Sequence, residues 1–209
     1  MSDFLFRGKL SKIDPAVDFL AEIEGERQYR KIILIPSESS SPQAVREALA
    51  SPFHNIYAEG YPTKESRFFT EEEILDYPLR LAEFRRFSSP RYYKGVEFAD
   101  VVEALARRRC AEAFAANDYN ADDLYVNVQP LSGAPANNAV YHALVNLGDT
   151  VMGMNLLVGG HLSHGSPVNR LGQYYHIVSY SIDDETGQID YDQVEALDAR
   201  GGETEEDRP

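Results

Sequence analysis

The chain has 209 residues, of which 43% are hydrophobic and 26% charged, so it can bury the core of one sizeable domain. Its formal net charge of −14 argues against nucleic acid or an anionic membrane as a partner, because both need clustered lysine and arginine. A single cysteine, Cys110, excludes an internal disulfide. The start lacks the apolar core of a secretory signal, and no run approaches a membrane span, so we expect a soluble cytoplasmic protein.

Helices dominate the first half of the predicted structure. Apolar residues at helical spacing predict a helix over residues 15–30, and a short helix is expected over 41–50. In residues 63–90, Thr70 and Glu73 form a capping-box pattern, and Pro78 should interrupt the helix that follows. The longest predicted helix covers residues 96–116.

Strands and helices alternate in the second half. Strands are predicted over residues 124–129, 151–154 and 174–180, with helices over 135–146 and from about residue 191. This alternation predicts an α/β domain with a largely parallel sheet. The acidic, glycine-rich segment 201–209 is expected to be a loop.

The turn QPLSGAPAN, at residues 129–137, lies between a predicted strand and a predicted helix. A helix N-terminus presents unpaired N–H groups, and Gly133 allows an anion to approach the backbone closely. The turn therefore fits a phosphate-binding site, although an ordinary strand-to-helix turn would have the same composition.

Two further clusters contain residue types that are common in active sites. The loop GGHLSHG, at residues 159–165, holds two histidines between glycines, which favours an imidazole placed against a flat ligand over a zinc site; we expect no metal. The segments YAEGYP (57–62) and RYYKG (91–95) offer tyrosines and a carboxylate for proton transfer, or equally for packing and surface charge.

Six segments in fixed order resemble serine hydroxymethyltransferases. They are LIPSE at 34–38, YAEGYP at 57–62, RYYKG at 91–95, VNVQPLSGAPAN at 126–137, GGHLSHGSPVN at 159–169 and TGQIDYDQVE at 186–195. The resemblance covers about residues 32–200 and is interrupted at 63–90, where relatives connect the same motifs almost directly. It implies the large domain of the aspartate-aminotransferase-like (fold type I) pyridoxal-phosphate fold, preceded by an N-terminal helical arm.

The resemblance also implies the reaction: transfer of a hydroxymethyl group between serine and tetrahydrofolate, giving glycine, with pyridoxal 5'-phosphate as cofactor and a homodimer or homotetramer as the assembly. The implied catalytic residues are Glu59 as acid/base, His161 stacked on the cofactor ring, and Tyr93. The implied cofactor contacts are Ser37, Tyr57, Tyr92, Ser132, Gly133, Ala134, Asn137 and His161. Glu59, Leu156, Gly160 and Leu162 correspond to folate-binding positions.

Two departures from the family pattern bear on activity. Ala134 stands where a phosphate-contacting serine is common, and loss of that hydrogen bond would cost on the order of 1.5–3 kcal/mol. None of the five lysines lies in a motif like the family's cofactor-bonding segment: they are Lys9, Lys12, Lys31, Lys64 and Lys94.

We therefore expect the N-terminal portion of a longer enzyme, inactive by itself. Residues 1–50 would form the helical arm and dimer contact, and residues 51–209 an incomplete cofactor-binding domain with an inserted surface elaboration at 63–90. The alternative is a non-catalytic chain that binds cofactor, folate or a full-length partner. A threonine-aldolase-like enzyme shares the chemistry but lacks the YAEGYP and GGHLSHG context.

Overall fold

The computed structural model describes residues 8–166 and 168–199, so the predicted loop at 201–209 lies outside the described residues. The chain divides into two compact units, Met1–Glu59 and Gly60–Pro209. No described helix is both long enough and apolar enough to cross a membrane.

The first unit is helical in its described part. It contains α1 (Leu10–Ile13), α2 (Pro15–Arg30), α3 (Gln43–Leu49) and a 3-10 turn at Pro52–Asn55. The carboxylate of Asp14 begins α2 by accepting a hydrogen bond from the N–H of Val17 at 3.1 Å. The helices predicted over 15–30 and 41–50 are confirmed, and their apolar side chains are exposed.

Three helices pack together at the start of the second unit. They are α4 (Glu71–Leu75), α5 (Tyr77–Phe87) and the long α6 (Glu97–Phe114), which confirms the long helix predicted over 96–116. The predicted interruption near Pro78 is also confirmed, because α4 ends at Leu75 and Asp76 caps α5, whose first turn contains the proline.

The segment 63–90, which was expected to be a surface elaboration, contributes to the apolar core of the second unit. Ile74 of α4 is 1% exposed and forms the core cluster with Val101 and Ala104 of α6. Phe69, Leu75 and Leu105 pack around that cluster. An amphipathic helix can bury its apolar side only against another element, and here α6 supplies the facing surface.

The rest of the second unit carries the α/β part. Its elements are α7 (Gly133–Leu144), β1 (Thr150–Met154), α8 (Leu162–Gly165), α9 (Arg170–Tyr174), β2 (His176–Tyr180) and α10 (Tyr191–Ala199). The two strands pair in parallel, with Thr150 opposite His176 and Met154 opposite Tyr180. The strands predicted over 151–154 and 174–180 and the helices predicted over 135–146 and from residue 191 are confirmed, with small shifts at their ends.

The strand predicted over 124–129 is wrong. The backbone at Leu124 is extended (φ −94°, ψ 133°), yet no residue from 124 to 129 belongs to a strand. Extended backbone becomes a strand only when a neighbour completes the hydrogen-bond ladder, and the described sheet consists of β1 and β2 alone.

We predict that Ile74→Ala destabilises the chain by about 2–5 kcal/mol, because truncating a buried aliphatic side chain leaves a cavity. Urea denaturation followed by circular dichroism measures the change. The control is Leu79→Ala on α5, where the residue is 47% exposed and the expected change is about 0.5 kcal/mol or less. Equal, small changes in both variants would show that segment 63–90 does not contribute to the core.

The capping box of α4 should make stability depend on pH. The N–H of Thr70 donates to Glu73 at 2.8 Å, and the Thr70 hydroxyl lies 3.0 Å from the same carboxylate oxygen. These two hydrogen bonds lower the pKa of Glu73. The carboxylate therefore stabilises the fold at pH values above the ordinary glutamate pKa, and this stabilisation disappears as pH falls through the lowered pKa.

We expect Glu73→Gln to be less stable than the parent at neutral pH and the difference to vanish in acid. Thermal melts over a pH series measure it, with Glu72→Gln as a control for the loss of one negative charge outside the capping box. A stability difference that stays constant with pH would contradict the role given to the carboxylate.

Candidate functional site

The predicted phosphate turn is an open helix N-terminus. Ser132 precedes α7 with extended backbone (φ −165°, ψ 178°), and its side chain makes no capping hydrogen bond to the described residues. A Cβ atom added at Gly133 would meet no described atom within 4 Å. The first-turn N–H groups of Gly133 and Ala134 have no partner within a helix, so the turn fits a phosphate group.

The loop GGHLSHG (residues 159–165), which we call the histidine loop, follows β1 and is joined to α7 by side-chain hydrogen bonds. The amide nitrogen of Asn137 on α7 lies 2.6 Å from Oγ of Ser163, which is 1% exposed. Oγ of Ser163 lies 2.7 Å from Nδ1 of His161, and the Ser163 N–H donates to the same nitrogen at 3.2 Å. Two predicted cofactor residues, Asn137 and His161, are thus joined through a serine.

These contacts assign protons to particular atoms. The Asn137 amide nitrogen can only donate, so Ser163 Oγ accepts from it and gives its own hydrogen to Nδ1 of His161. Neutral His161 therefore carries its proton on Nε2. The same amide nitrogen lies 3.2 Å from Nε2 of His164, whose Nδ1 then donates to the hydroxyl of Tyr141 at 3.0 Å.

Tyr141 is held in its neutral form. Burial raises the pKa of its phenol, and the neighbouring Tyr175 raises it further. The ring of His164 lies 5.7 Å from that of His161, between centroids, so the two imidazoles are neighbours. Among the described residues no group of His, Cys, Asp or Glu is arranged to hold a metal ion.

Two glycines bring the histidine loop against β1. A Cβ at Gly160 would lie 1.9 Å from the Met154 carbonyl oxygen, and one at Gly153 would lie 2.6 Å from the His164 carbonyl oxygen. The Gly160 N–H also donates to the Asn155 carbonyl at 2.9 Å. Backbone packing therefore requires glycine at position 160. The resemblance to the family had associated this position with folate binding.

A second cluster surrounds Arg91, the first residue of RYYKG. Its Nε lies 2.5 Å from Asp100, its Nη2 lies 2.5 Å from Glu103, and its Nη1 donates to the Gly60 carbonyl at 3.0 Å. Nε2 of Gln129 donates to the same carbonyl at 2.7 Å and to Glu103 at 3.1 Å. We call Arg91, Asp100, Glu103, Gln129 and the Gly60 carbonyl the Arg91 cluster.

The positive charge of Arg91 is balanced by two carboxylates of the second unit. Burial alone would favour the neutral guanidine, but hydrogen bonds to Glu103 and Asp100 outweigh it and raise the pKa of Arg91 above its ordinary value. Ser89 also donates to Asp100 at 2.8 Å. Gly60 has φ of +104°, and a Cβ there would lie 3.2 Å from the Cα of Arg91, so glycine permits this close approach.

The predicted site residues fall into two sets. Those of the second unit lie at the start of α7, in the 3-10 turn Leu156–Val158, in the loop at 159–165 and just after Arg91: Tyr92, Tyr93, Ser132, Gly133, Ala134, Asn137, Leu156, Gly160, His161 and Leu162. Ser37, Tyr57 and Glu59 lie in the first unit, where all three are exposed. Their position relative to the phosphate turn stays a prediction.

A cavity of about 280 Å³ lies between segment 63–90 and α6, apart from these residues. Its walls include Phe69, Phe84 and Val101, together with Arg80, whose Nε is buried without a hydrogen-bond partner among the described residues. No predicted site residue lines this cavity.

Sequence reasoning missed Ser163, Arg91 and Gln129. Each lies inside a quoted motif, but its importance comes from contacts with residues distant in the chain. One signal was present: Asp100 and Glu103 are three residues apart, which places two carboxylates on one side of α6.

We predict that Ser163→Ala loosens the His161 ring, because the variant loses the hydroxyl that donates to Nδ1 at 2.7 Å and keeps only the backbone N–H contact at 3.2 Å. Two-bond ¹H–¹⁵N NMR correlations should show His161 as the Nε2–H form in the parent and an increased share of the Nδ1–H form in the variant. Ser166→Ala, at a buried serine that directly follows this loop, is the control. An unchanged His161 signal in Ser163→Ala would contradict the assigned hydrogen bond.

A comparison with protein-family models bears on these residues as a group. The model described as serine hydroxymethyltransferase matches residues 10–87 and 85–201. The two matched stretches include all the predicted site residues. The chain therefore belongs to the serine hydroxymethyltransferase family, whose members are pyridoxal-phosphate-dependent transferases that act on serine, glycine and tetrahydrofolate.

Proposed function

We propose that this chain supplies the phosphate turn and the ring-stacking histidine of an enzyme that transfers a hydroxymethyl group between serine and tetrahydrofolate, giving glycine. One observation carries the proposal. The open N-terminus of α7 lies four residues before Asn137, and Asn137 holds His161 through Ser163. The proposed phosphate turn and the oriented imidazole are therefore connected through one helix, α7, which carries Asn137.

The backbone N–H groups of Gly133 and Ala134 would hold the cofactor phosphate, together with the hydroxyl of Ser132. The positive end of the α7 dipole favours the same anion. Ala134 has no hydroxyl to add, so backbone donors carry more of the binding here than in relatives with a serine at this position. Bound pyridoxal phosphate supplies an electron sink for negative charge at the substrate α-carbon.

His161 would lie against the cofactor ring. Its Nδ1 accepts both hydrogen bonds from Ser163, which fixes the ring edge, and the residue is exposed. An imidazole fixed at one edge loses little conformational freedom when a flat ligand stacks on it. Ser163 thus orients His161, and Asn137 orients Ser163.

The remaining roles rest on the resemblance. Glu59 would move protons at the substrate hydroxyl and at folate, and Tyr93 would reach the phosphate or substrate. Ser37, Tyr57 and Tyr92 would contact cofactor or substrate, and Leu156, Gly160 and Leu162 would border the folate. We also propose a homodimer or homotetramer located in the cytoplasm.

The five lysines lie outside any segment that resembles the family's cofactor-bonding motif. We therefore propose that the 209 residues bind pyridoxal phosphate without a covalent bond and that turnover needs a further segment carrying that lysine. The competing function is a non-catalytic subunit that binds cofactor, folate or a full-length relative.

Gly133→Asp and Gly133→Ala form a matched pair that tests the phosphate turn. Both side chains enter open space, so both variants should fold. The aspartate repels a phosphate, and we expect it to weaken pyridoxal phosphate binding by about tenfold or more, which corresponds to about 1.4 kcal/mol. The alanine retains the backbone N–H group and should bind like the parent.

Absorbance titration of the purified chain measures the dissociation constants, and pyridoxal, which lacks the phosphate, serves as the ligand control. Borohydride reduction followed by mass spectrometry should find no stoichiometric lysine adduct. Equal affinity of the two variants would refute the phosphate turn. A specific lysine adduct would refute non-covalent binding.

A further inference from the structure

We propose that Arg91 is a positioning residue that orients the entry to the phosphate turn through the Gly60 carbonyl and Gln129. The functional part of this inference rests on the proposed function, because it concerns the turn that would bind the cofactor. The geometric part concerns only contacts within the second unit.

Burial and charge set Arg91 apart from the other arginines with ion pairs in the described residues. Its side chain is 1% exposed, and those of Asp100 and Glu103 are 2% and 11% exposed. Removing three charged groups from water is costly, and apolar residues of similar volume often stabilise a core equally well. A contribution to stability alone therefore does not explain why an arginine is buried here. The planar set of N–H donors of an arginine also fixes the directions of its hydrogen-bond partners.

Hydrogen bonds from Arg91 and Gln129 converge on one atom, the carbonyl oxygen of Gly60. The Gly60 carbonyl oxygen accepts from Nη1 of Arg91 and from Nε2 of Gln129, which uses both of its lone pairs. Gln129 and Arg91 each also bond to Glu103. The contacts close into a ring of Arg91, the Gly60 carbonyl, Gln129 and Glu103, so Gln129 is fixed from two sides.

Gln129 transmits this constraint to the turn. It stands three residues before Ser132 and immediately before Pro130. Proline fixes its own φ and restricts the preceding residue to extended backbone. A Gln129 side chain held in place therefore sets the direction in which the chain enters the turn and the first turn of α7. The Arg91 cluster thereby connects parts of three motifs, YAEGYP, RYYKG and QPLSG.

Gln129→Ala is the sharpest variant, because Gln129 is exposed and its loss leaves both ion pairs of Arg91 in place. Arg91→Lys keeps the charge but loses the donor geometry that reaches Asp100, Glu103 and Gly60 together. Arg109→Lys is the control: Arg109 is an exposed arginine of α6 that pairs with Glu71.

NMR order parameters for the backbone of residues 131–134 test the geometric part in the 209-residue chain without any ligand. We expect values near those of rigid backbone, about 0.85, in the parent and in Arg109→Lys, and values below about 0.6 in Gln129→Ala. Arg91→Lys should follow Gln129→Ala; if it fails to fold, Gln129→Ala decides. The urea midpoint of Gln129→Ala should match that of Arg109→Lys, which separates positioning from a purely structural effect.

Titration with pyridoxal phosphate tests the functional part. We expect the dissociation constant to rise about tenfold in Gln129→Ala, with binding of pyridoxal unchanged. If the parent chain does not bind pyridoxal phosphate, the proposed function fails, while the order parameters still decide the positioning role. If the parent binds and Gln129→Ala retains both its affinity and its order parameters, the positioning role is refuted and the proposed function stands.

Discussion

The buried charge of Arg91 constrains the structure around it. A guanidinium removed from water needs acceptors on several sides, and it obtains them from Asp100, Glu103 and the Gly60 carbonyl. The two carboxylates lie three residues apart on α6, so the helix has a fixed rotation relative to Arg91. That rotation also directs Val101 and Ala104 toward Ile74. The polar and apolar contacts of α6 thus depend on the same orientation.

Helix starts were predicted well from the sequence because the interactions that determine them lie within a few residues. Helix α2 begins beside its capping Asp14, and α4 begins at the Thr70–Glu73 capping box, so each start is encoded within a few residues. The strand predicted over 124–129 failed because a strand needs a partner that its own residues do not specify. The core position of segment 63–90 was missed for the same reason, since the burial of Ile74 is decided by α6.

The candidate site shows the same division. The motifs led to a phosphate turn at Ser132 and a ring-stacking histidine at position 161, and both stay predictions. In the structure, Asn137 of α7 donates to Ser163, beside that histidine. The motifs did not predict Ser163, because a serine becomes important only when a distant amide and a nearby imidazole meet at its hydroxyl. Glu59 and Tyr57 are exposed residues of the first unit, and their proposed roles rest on the motifs that contain them.

The geometry of the Arg91 cluster also accounts for how a long segment can interrupt two motifs without separating them. Segment 63–90 begins three residues after Gly60 and ends immediately before Arg91. The carbonyl of Gly60 accepts a hydrogen bond of 3.0 Å from Arg91. Because both ends are held together, the intervening segment is a closed loop, and its length adds little to the entropy of closure. Once such a segment packs Ile74 against Val101, however, α6 depends on it for part of its apolar contact. Segment 63–90 is thus a contributing part of the core, while the clamp at its two ends preserves the local geometry on which the motifs rely.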